Sequence, residues 1–235
     1  MKVSIIIPAR NEARNIGRLL SEISIRPHEI IVIDGNSNDD TYSNARKHPS
    51  NPIVLKQMSR GKGSALSLGF QASSGDIVIA IDADGSNNPN EIERLLAEIA
   101  SGADLVKGSR NLQNGGSEDL TKFRNFGNFF LTKTANILFH TKWTDIAYGY
   151  FAIRRDLILE MNISHFDSKI GSSLSYGQGF EIESLICCRA AKLGAKIVEV
   201  PSLERNRWSG ASNLESIPDG IRALFAIFRE KYSND

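Results

Sequence analysis

The sequence predicts an α/β protein built on a mostly parallel sheet with helices on both faces. Short apolar runs rich in Val and Ile recur at residues 3–7, 30–33, 53–55, 77–81 and 105–106. The stretches between them space Leu, Ile and Ala at helical intervals. Runs that are apolar throughout, rather than alternating, belong to strands covered on both sides, and the intervening helices provide that cover.

The first run is followed by residues 12–23, where Ile16, Leu19, Leu20 and Ile23 share one face. Residues 62–73 and 90–100 carry similar stripes and serve as later crossovers. Asn11, Asn38 or Asp39, and Pro89 mark helix starts, and Gly75 and Gly102 mark stops. After Val106 the pattern changes to a polar loop over 108–119, long enough to suggest a role, and then to an amphipathic helix over about 120–139. The second half offers an apolar run at 148–153, a helix over 180–193, a strand over 197–200, a polar loop over 202–213 and a final amphipathic segment.

The chain has 235 residues, enough for one sizeable core without staples. Its 28 Lys and Arg against 27 Asp and Glu leave a net charge of +1, so the overall field gives no reason to expect a nucleic-acid partner. The two cysteines, Cys187 and Cys188, are adjacent, which suits neither a disulfide framework nor a zinc site and fits a reducing cytoplasm. No segment approaches the ~18 uninterrupted apolar residues of a spanning helix, so the expected location is cytoplasmic, at most peripheral at the inner face of a membrane.

In an open parallel sheet, ligands bind beyond the carboxyl ends of the strands. Three such ends are polar here: Pro8-Ala9-Arg10-Asn11-Glu12, Asp34-Gly35-Asn36-Ser37-Asn38-Asp39-Asp40-Thr41 and Asp82-Ala83-Asp84-Gly85. Asp82 and Asp84, one residue apart behind a buried strand, can jointly meet a hard cation such as Mg2+ or Mn2+. Such an ion would neutralise the phosphates of a nucleotide diphosphate. An Asx-type turn before the next helix is the plainer explanation of the same two residues, and their position behind the strand favours the metal. Asp34 stands too early to cap a helix and suits the imino N–H of a uracil or guanine ring, whereas capping accounts for Asn38, Asp39 and Thr41. Arg60-Gly61-Lys62-Gly63 opens a helix whose N–H groups, with Lys62, could meet phosphate, although the spacing is not that of a P-loop.

These motifs, in this order, resemble the inverting glycosyltransferases of family 2. The likeness is strongest to the branch of dolichol-phosphate mannose synthase and related polyprenyl-phosphate glycosyltransferases, and it covers nearly the whole chain. It implies a GT-A fold forming one domain over 1–235, with a nucleotide-sugar half at 1–107, an acceptor-side half at 108–213 and a C-terminal amphipathic helix at 214–235. The resemblance makes Pro8, Ala9, Glu12 and Asp34 a nucleoside pocket with Lys62 beside it, and Asp82 and Asp84 the metal site. It sets Arg207 and Ser212 of Arg207-Trp208-Ser209-Gly210-Ala211-Ser212 near the donor phosphates, and Arg110 and Arg124, with Asn128, near an acceptor phosphate. Arginine suits both phosphate roles because its fork binds two oxygens at once. The chain departs from the branch at Asp34-Gly35, at Asn128 and at Thr144-Asp145-Ile146-Ala147-Tyr148-Gly149-Tyr150.

The expected reaction is metal-dependent, inverting transfer of a hexose from a UDP- or GDP-sugar to an acceptor, a polyprenyl phosphate among the candidates. Asp84 serves it through the metal. A hydroxyl acceptor would need a base, for which Glu181 is the candidate with Asp145 behind it; an ionised phosphate would need none. Ordinary first-turn acidity accounts for Glu183. Phe126, Phe129, Phe130 and Leu131, and the segment 221–228, could lie on a bilayer, although core packing is the commoner explanation of such residues. A sugar-phosphate nucleotidyltransferase and a non-catalytic nucleotide-sugar binding module are the rival readings.

Overall fold

In the computed structural model, which describes residues 1–163 and 175–232, the apolar runs become the strands β1 (Val3–Ala9), β2 (Glu29–Asp34), β3 (Ile53–Lys56), β4 (Ile77–Ala80) and β5 (Leu105–Ser109). Val and Ile suit these positions because branched side chains pack well on a pleated surface, and β4 is buried at every residue. A two-residue strand β6 (Gly116–Ser117), then β7 (Phe151–Arg154), β8 (Ile197–Pro201) and β9 (Leu203–Glu204) follow. The main sheet has seven strands in the order β3-β2-β1-β4-β7-β5-β8, while β6 and β9 pair separately.

Every pairing in the main sheet is parallel except those of β7, which runs antiparallel to both β4 and β5. Nothing in the sequence signals this reversal, because an apolar run reads the same in either direction. Its effect is specific: an antiparallel strand begins at the edge where its parallel neighbours end, so Tyr148, Gly149 and Tyr150 arrive at the carboxyl edge of the sheet.

Helices α1 (Ile16–Glu22), α2 (Thr41–Arg46), α3 (Lys62–Ala72), α4 (Ile92–Ala100) and α6 (Arg155–Glu160) join or flank the strands, with a single 3-10 turn at Pro89–Glu91. Helix α1 starts four residues later than the sequence suggests. Asn11 is not a helix start but adopts a left-handed conformation, and its side-chain oxygen accepts the Asn38 N–H. Gly102 does end α4, at φ +93°. Helices α5 (Lys122–Phe139), α7 (Ile182–Lys192) and α8 (Ser216–Tyr232) form a third layer and share a core of Leu131, Ala135, Trp143, Cys187, Cys188 and Ile227. Both cysteines are buried and unbridged.

Part of the packing expectation fails on this layer. Leu131, Ala223, Ala226 and Ile227 point inward, but Phe126, Phe129, Phe130, Ile221, Phe225 and Phe228 are exposed. No helix among the described residues is long and apolar enough to cross a membrane.

Candidate functional site

The parallel strands β2 and β3 lie on one side of β1 and β4 lies on the other, so β1 and β4 flank the point where the strand order reverses. The loops after them diverge and leave a crevice at the carboxyl edge. That crevice holds two cavities. The larger, about 520 Å³, is lined by Pro8, Ala9 and Glu12 after β1, by Gly35 after β2, and by Gln57 and Arg60 after β3. The smaller, about 400 Å³, lies between α5 and α8 and is lined by Arg110, Arg124, Asn128 and Tyr148. Lys62, Asp82, Asp84, Phe180, Arg207 and Ser212 line both.

The carboxylates at this junction each face a cation. Lys62 Nζ donates to both oxygens of Asp82, at 2.7 and 2.9 Å, and to Glu183 Oε1 at 2.7 Å. Burial works to lower the Lys62 pKa, but the two carboxylates outweigh it and hold the ammonium charged. Burial pushes the Glu183 carboxyl up, opposed by Lys62. A side chain at position 149 would collide with this pair, since a Cβ there would lie 2.1 Å from Glu183 Oε1. Glu183 is therefore part of the site, not the dipole-facing surface acid expected from its first-turn position.

Arg207 Nη2 donates to Asp84 Oδ2 at 2.6 Å, and Ser86 N–H donates to Asp84 Oδ1. The loop carrying Arg207 is strapped over the end of β4 by backbone bonds from Arg205 N–H to Ser86 and from Trp208 N–H to Asp84. Trp208 packs closely against Gly85, whose φ of +84° and missing side chain make room for the ring. Arg207 Nε is buried without a hydrogen-bond partner, a donor left over for a ligand oxygen.

Several expected residues are held differently. Asp34 is buried at the end of β2, where both oxygens accept from Ser37 N–H at 3.4 Å, and its neighbours Ile33 and Gly35, not Asp34, line the larger cavity. The N–H groups of Gly63 and Ser64 at the start of α3 donate to the carbonyls of Gly179 and Gln178, so they do not point at the cavity. Glu181 lines neither cavity; its carboxylate accepts from Gly177 N–H, Gly179 N–H and the Arg222 guanidinium. Asp145 is fully buried and accepts from Arg110 Nε at 2.7 Å, Arg110 Nη2 at 2.9 Å and Asn128 Nδ2 at 2.8 Å. Burial opposes its ionisation, but the guanidinium prevails and keeps it below the usual range.

Arg110 is clamped from a second side as well, because its Nη1 donates to Glu204 on β9. Sequence reasoning missed Glu204 altogether, as nothing in its loop signals the small β6–β9 sheet that delivers it. Arg124 is held more loosely, by Ser216 Oγ at 3.1 Å and by Asp119 at 4.0 Å.

Among the described residues, no three His, Cys, Asp or Glu side chains converge as a metal site. Asp82 and Asp84 nevertheless fit a hard cation. They are oxygen donors turned toward positive charge, and Mg2+ commonly takes one or two protein carboxylates and completes its shell with substrate phosphates and water.

Comparison with known proteins identifies the family and the fold. The profile of Glycosyl transferase family 2 matches residues 4–161. A dolichol-phosphate mannosyltransferase of Pyrococcus furiosus is 28% identical over 99% of the chain, which spans 63% of that relative's length. An undecaprenyl-phosphate mannosyltransferase of Micrococcus luteus is 30% identical over 91% of the chain and 88% of its own. Among solved structures, glucosyl-3-phosphoglycerate synthase of Mycobacterium tuberculosis in complex with Mg2+ and UDP superimposes with a TM-score of 0.73 at 22% identity, covering 98% of this chain and 79% of that one. The same synthase with Mn2+, UDP and glucosyl-3-phosphoglycerate gives 0.69 at 22% identity over the same shares.

Proposed function

The chain belongs to glycosyl transferase family 2, and from that premise we propose that it is a metal-dependent, inverting hexosyltransferase that takes its sugar from a UDP- or GDP-sugar and delivers it to a polyprenyl phosphate. The observation that carries this is the position of Asp82 and Asp84 on the wall shared by the two cavities. A diphosphate anchored there has its nucleoside in the larger cavity and its sugar facing the smaller one. Residues 1–107 then supply the donor side, 108–213 the acceptor side, and the C-terminal part from 214 onward, through α8, closes the smaller cavity, all as one domain.

Mg2+ or Mn2+ bound at Asp82 and Asp84 would supply Lewis-acid stabilisation of the departing nucleoside diphosphate. The protein's own residues do the rest. Pro8, Ala9 and Glu12 hold the nucleoside, with Asp34 bracing the floor from below. Arg207 turns its unpaired Nε to a phosphate oxygen, and Ser212 adds a hydroxyl beside it. Lys62, fixed between Asp82 and Glu183, keeps the carboxylate edge oriented.

The acceptor reading rests on what lies around the smaller cavity. Both candidate bases, Glu181 and Asp145, are consumed by arginine and line neither cavity, which suits an acceptor that arrives ionised. Arg124 is the cation best able to meet that phosphate. Arg110, clamped by Asp145 and Glu204, shapes the wall on which Asn128 sits. The names of the Pyrococcus and Micrococcus relatives, both acting on lipid phosphates, support the same acceptor class.

Calorimetry of UDP, GDP and their sugars with Mn2+ and with chelator tests the reading. Binding of one nucleotide family that requires metal and disappears in Asp84→Ala is expected, while Glu181→Gln keeps turnover within a few-fold of the parent. Equal binding with chelator would remove the metal from the proposal, and a loss of orders of magnitude in Glu181→Gln would require a hydroxyl acceptor and a base.

A further inference from the structure

The larger cavity holds a polar group that neither a metal nor a phosphate explains. Gln57 follows β3 directly, lines the cavity and is only 5% exposed. Glutamine is mostly exposed in folded proteins, and the polar atoms of a buried one are nearly always paired. The backbone here obeys that rule: Gln57 N–H donates to Asp34 O at 3.1 Å, and Gln57 O accepts from Asn36 Nδ2 at 3.1 Å. In the side chain, Nε2 donates to Ser59 O at 2.8 Å, which fixes the direction of the amide. Oε1 is left as the polar atom of Gln57 with no partner among the described residues. It is not sealed in, since Arg207 Nε is the one fully enclosed side-chain atom among the described residues that lacks a partner. Oε1 therefore meets the open space of the cavity.

The place of this acceptor decides what it can meet. The order β3-β2-β1-β4 sets Gln57 three strands from Asp82 and Asp84, roughly 14 Å at the usual strand spacing. A nucleoside diphosphate with its phosphates at those carboxylates reaches Gln57 with its base. Asp34, the acceptor that the sequence suggests for a base N–H, is turned to Ser37 N–H and does not line the cavity. Arg60, which is exposed and lines the cavity too, has no hydrogen bond or ion pair among the described residues. Gln57 and Arg60 thus offer an acceptor and a donor, and uracil and guanine each carry a ring N–H beside a carbonyl.

We infer that Gln57 reads the base of the donor, its Oε1 accepting the ring N–H of a keto nucleobase, uracil or guanine, at the end of the cavity remote from Asp82 and Asp84. This rests on the reading of the larger cavity as the nucleoside site and adds the residue that recognises the base.

Calorimetry in the presence of Mn2+ tests it, with UDP, GDP, their forms methylated at the ring nitrogen, and inorganic pyrophosphate, which has no base. Whichever of UDP and GDP binds names the base. Methylation of that nucleotide is expected to weaken its binding to the parent chain about tenfold, the effect of losing one hydrogen bond and leaving its acceptor unpaired. Gln57→Met, similar in size but without the acceptor, is expected to weaken the unmethylated nucleotide about tenfold and to bring the two forms within about twofold of each other. Pyrophosphate is expected to bind parent and variant alike. An equal penalty for methylation in parent and variant overturns the role of Gln57, because a loop merely loosened at Ser59 would leave that ratio unchanged. A matching loss of pyrophosphate binding in Gln57→Met overturns it as well. A variant that binds nucleotide as the parent does removes Gln57 and keeps the nucleoside reading. Nucleotides that bind no tighter than pyrophosphate, or not at all, overturn both together.

Discussion

Glu12 stands in the larger cavity with its carboxyl pushed up from 4.5 to about 7, first by burial and then by the charge of Asp84, against the hydrogen bond from Asn15. Between those values the folded protein holds a proton that the unfolded chain has released. The native state is therefore favoured below about pH 4.5, and that advantage is lost as pH rises through 7. Glu12→Gln removes the titration. In urea denaturation with chelator it is expected to match the parent near pH 4.5 and to exceed it by roughly 1–2 kcal/mol at pH 8; parallel pH profiles would contradict this. Glu12 was visible from the sequence as a polar residue just past a buried strand, and Asp82, Asp84 and Lys62 were visible for similar local reasons. Glu183 was not. Its burial depends on Lys62, 121 residues away, and a first-turn acid on a solvated helix would be written identically.

At the scale of elements, an ion pair ties the start of α8 to the residue just before α7, in addition to the Arg189–Glu230 pair farther along the two helices. Arg222 of α8 reaches Glu181 just before α7, and Glu181 in turn gathers the N–H groups of Gly177 and Gly179. Removing the arginine leaves a buried carboxylate with only those N–H groups. Because Arg222 is partly exposed, Arg222→Ala is expected to cost about 2–3 kcal/mol, less than a fully buried pair would. Adding Glu181→Gln should return part of that loss, so an additive double variant in urea denaturation would argue against the pair. The helices α3, α4, α5 and α7 were legible because long periodic stripes identify themselves. Short α6 escaped notice, as six residues hold fewer than two turns of pattern. The amphipathic segments on α5 and α8 were seen, but sequence periodicity cannot say which of two apolar faces turns inward.

Over the whole molecule, two cavities meet at a pair of carboxylates, and one of them opens beside an apolar face. The α/β class and the edge of the sheet where the site lies could be read from the order of runs and loops. The direction of β7 could not, since direction is decided by which neighbours a strand meets and not by its own four residues. That reversed strand also governs how the chain can assemble. Strands β4 and β5 are made early, yet the slot between them stays empty until residues 151–154 arrive. Until then each exposes an unpaired edge, the kind of surface that recruits other chains. Forming the centre of the sheet thus waits on a long-range closure, which slows folding relative to a sheet built only of neighbours. A fragment ending at Ser109 is expected to lack a cooperative unfolding transition and to aggregate, although it contains most of the donor cavity; a soluble fragment that melts cooperatively would refute this. The strand that follows Tyr148 and Gly149 is therefore also the piece that joins β5 and β8 to the rest of the sheet, which ties formation of the edge bearing the candidate site to a long-range step of folding.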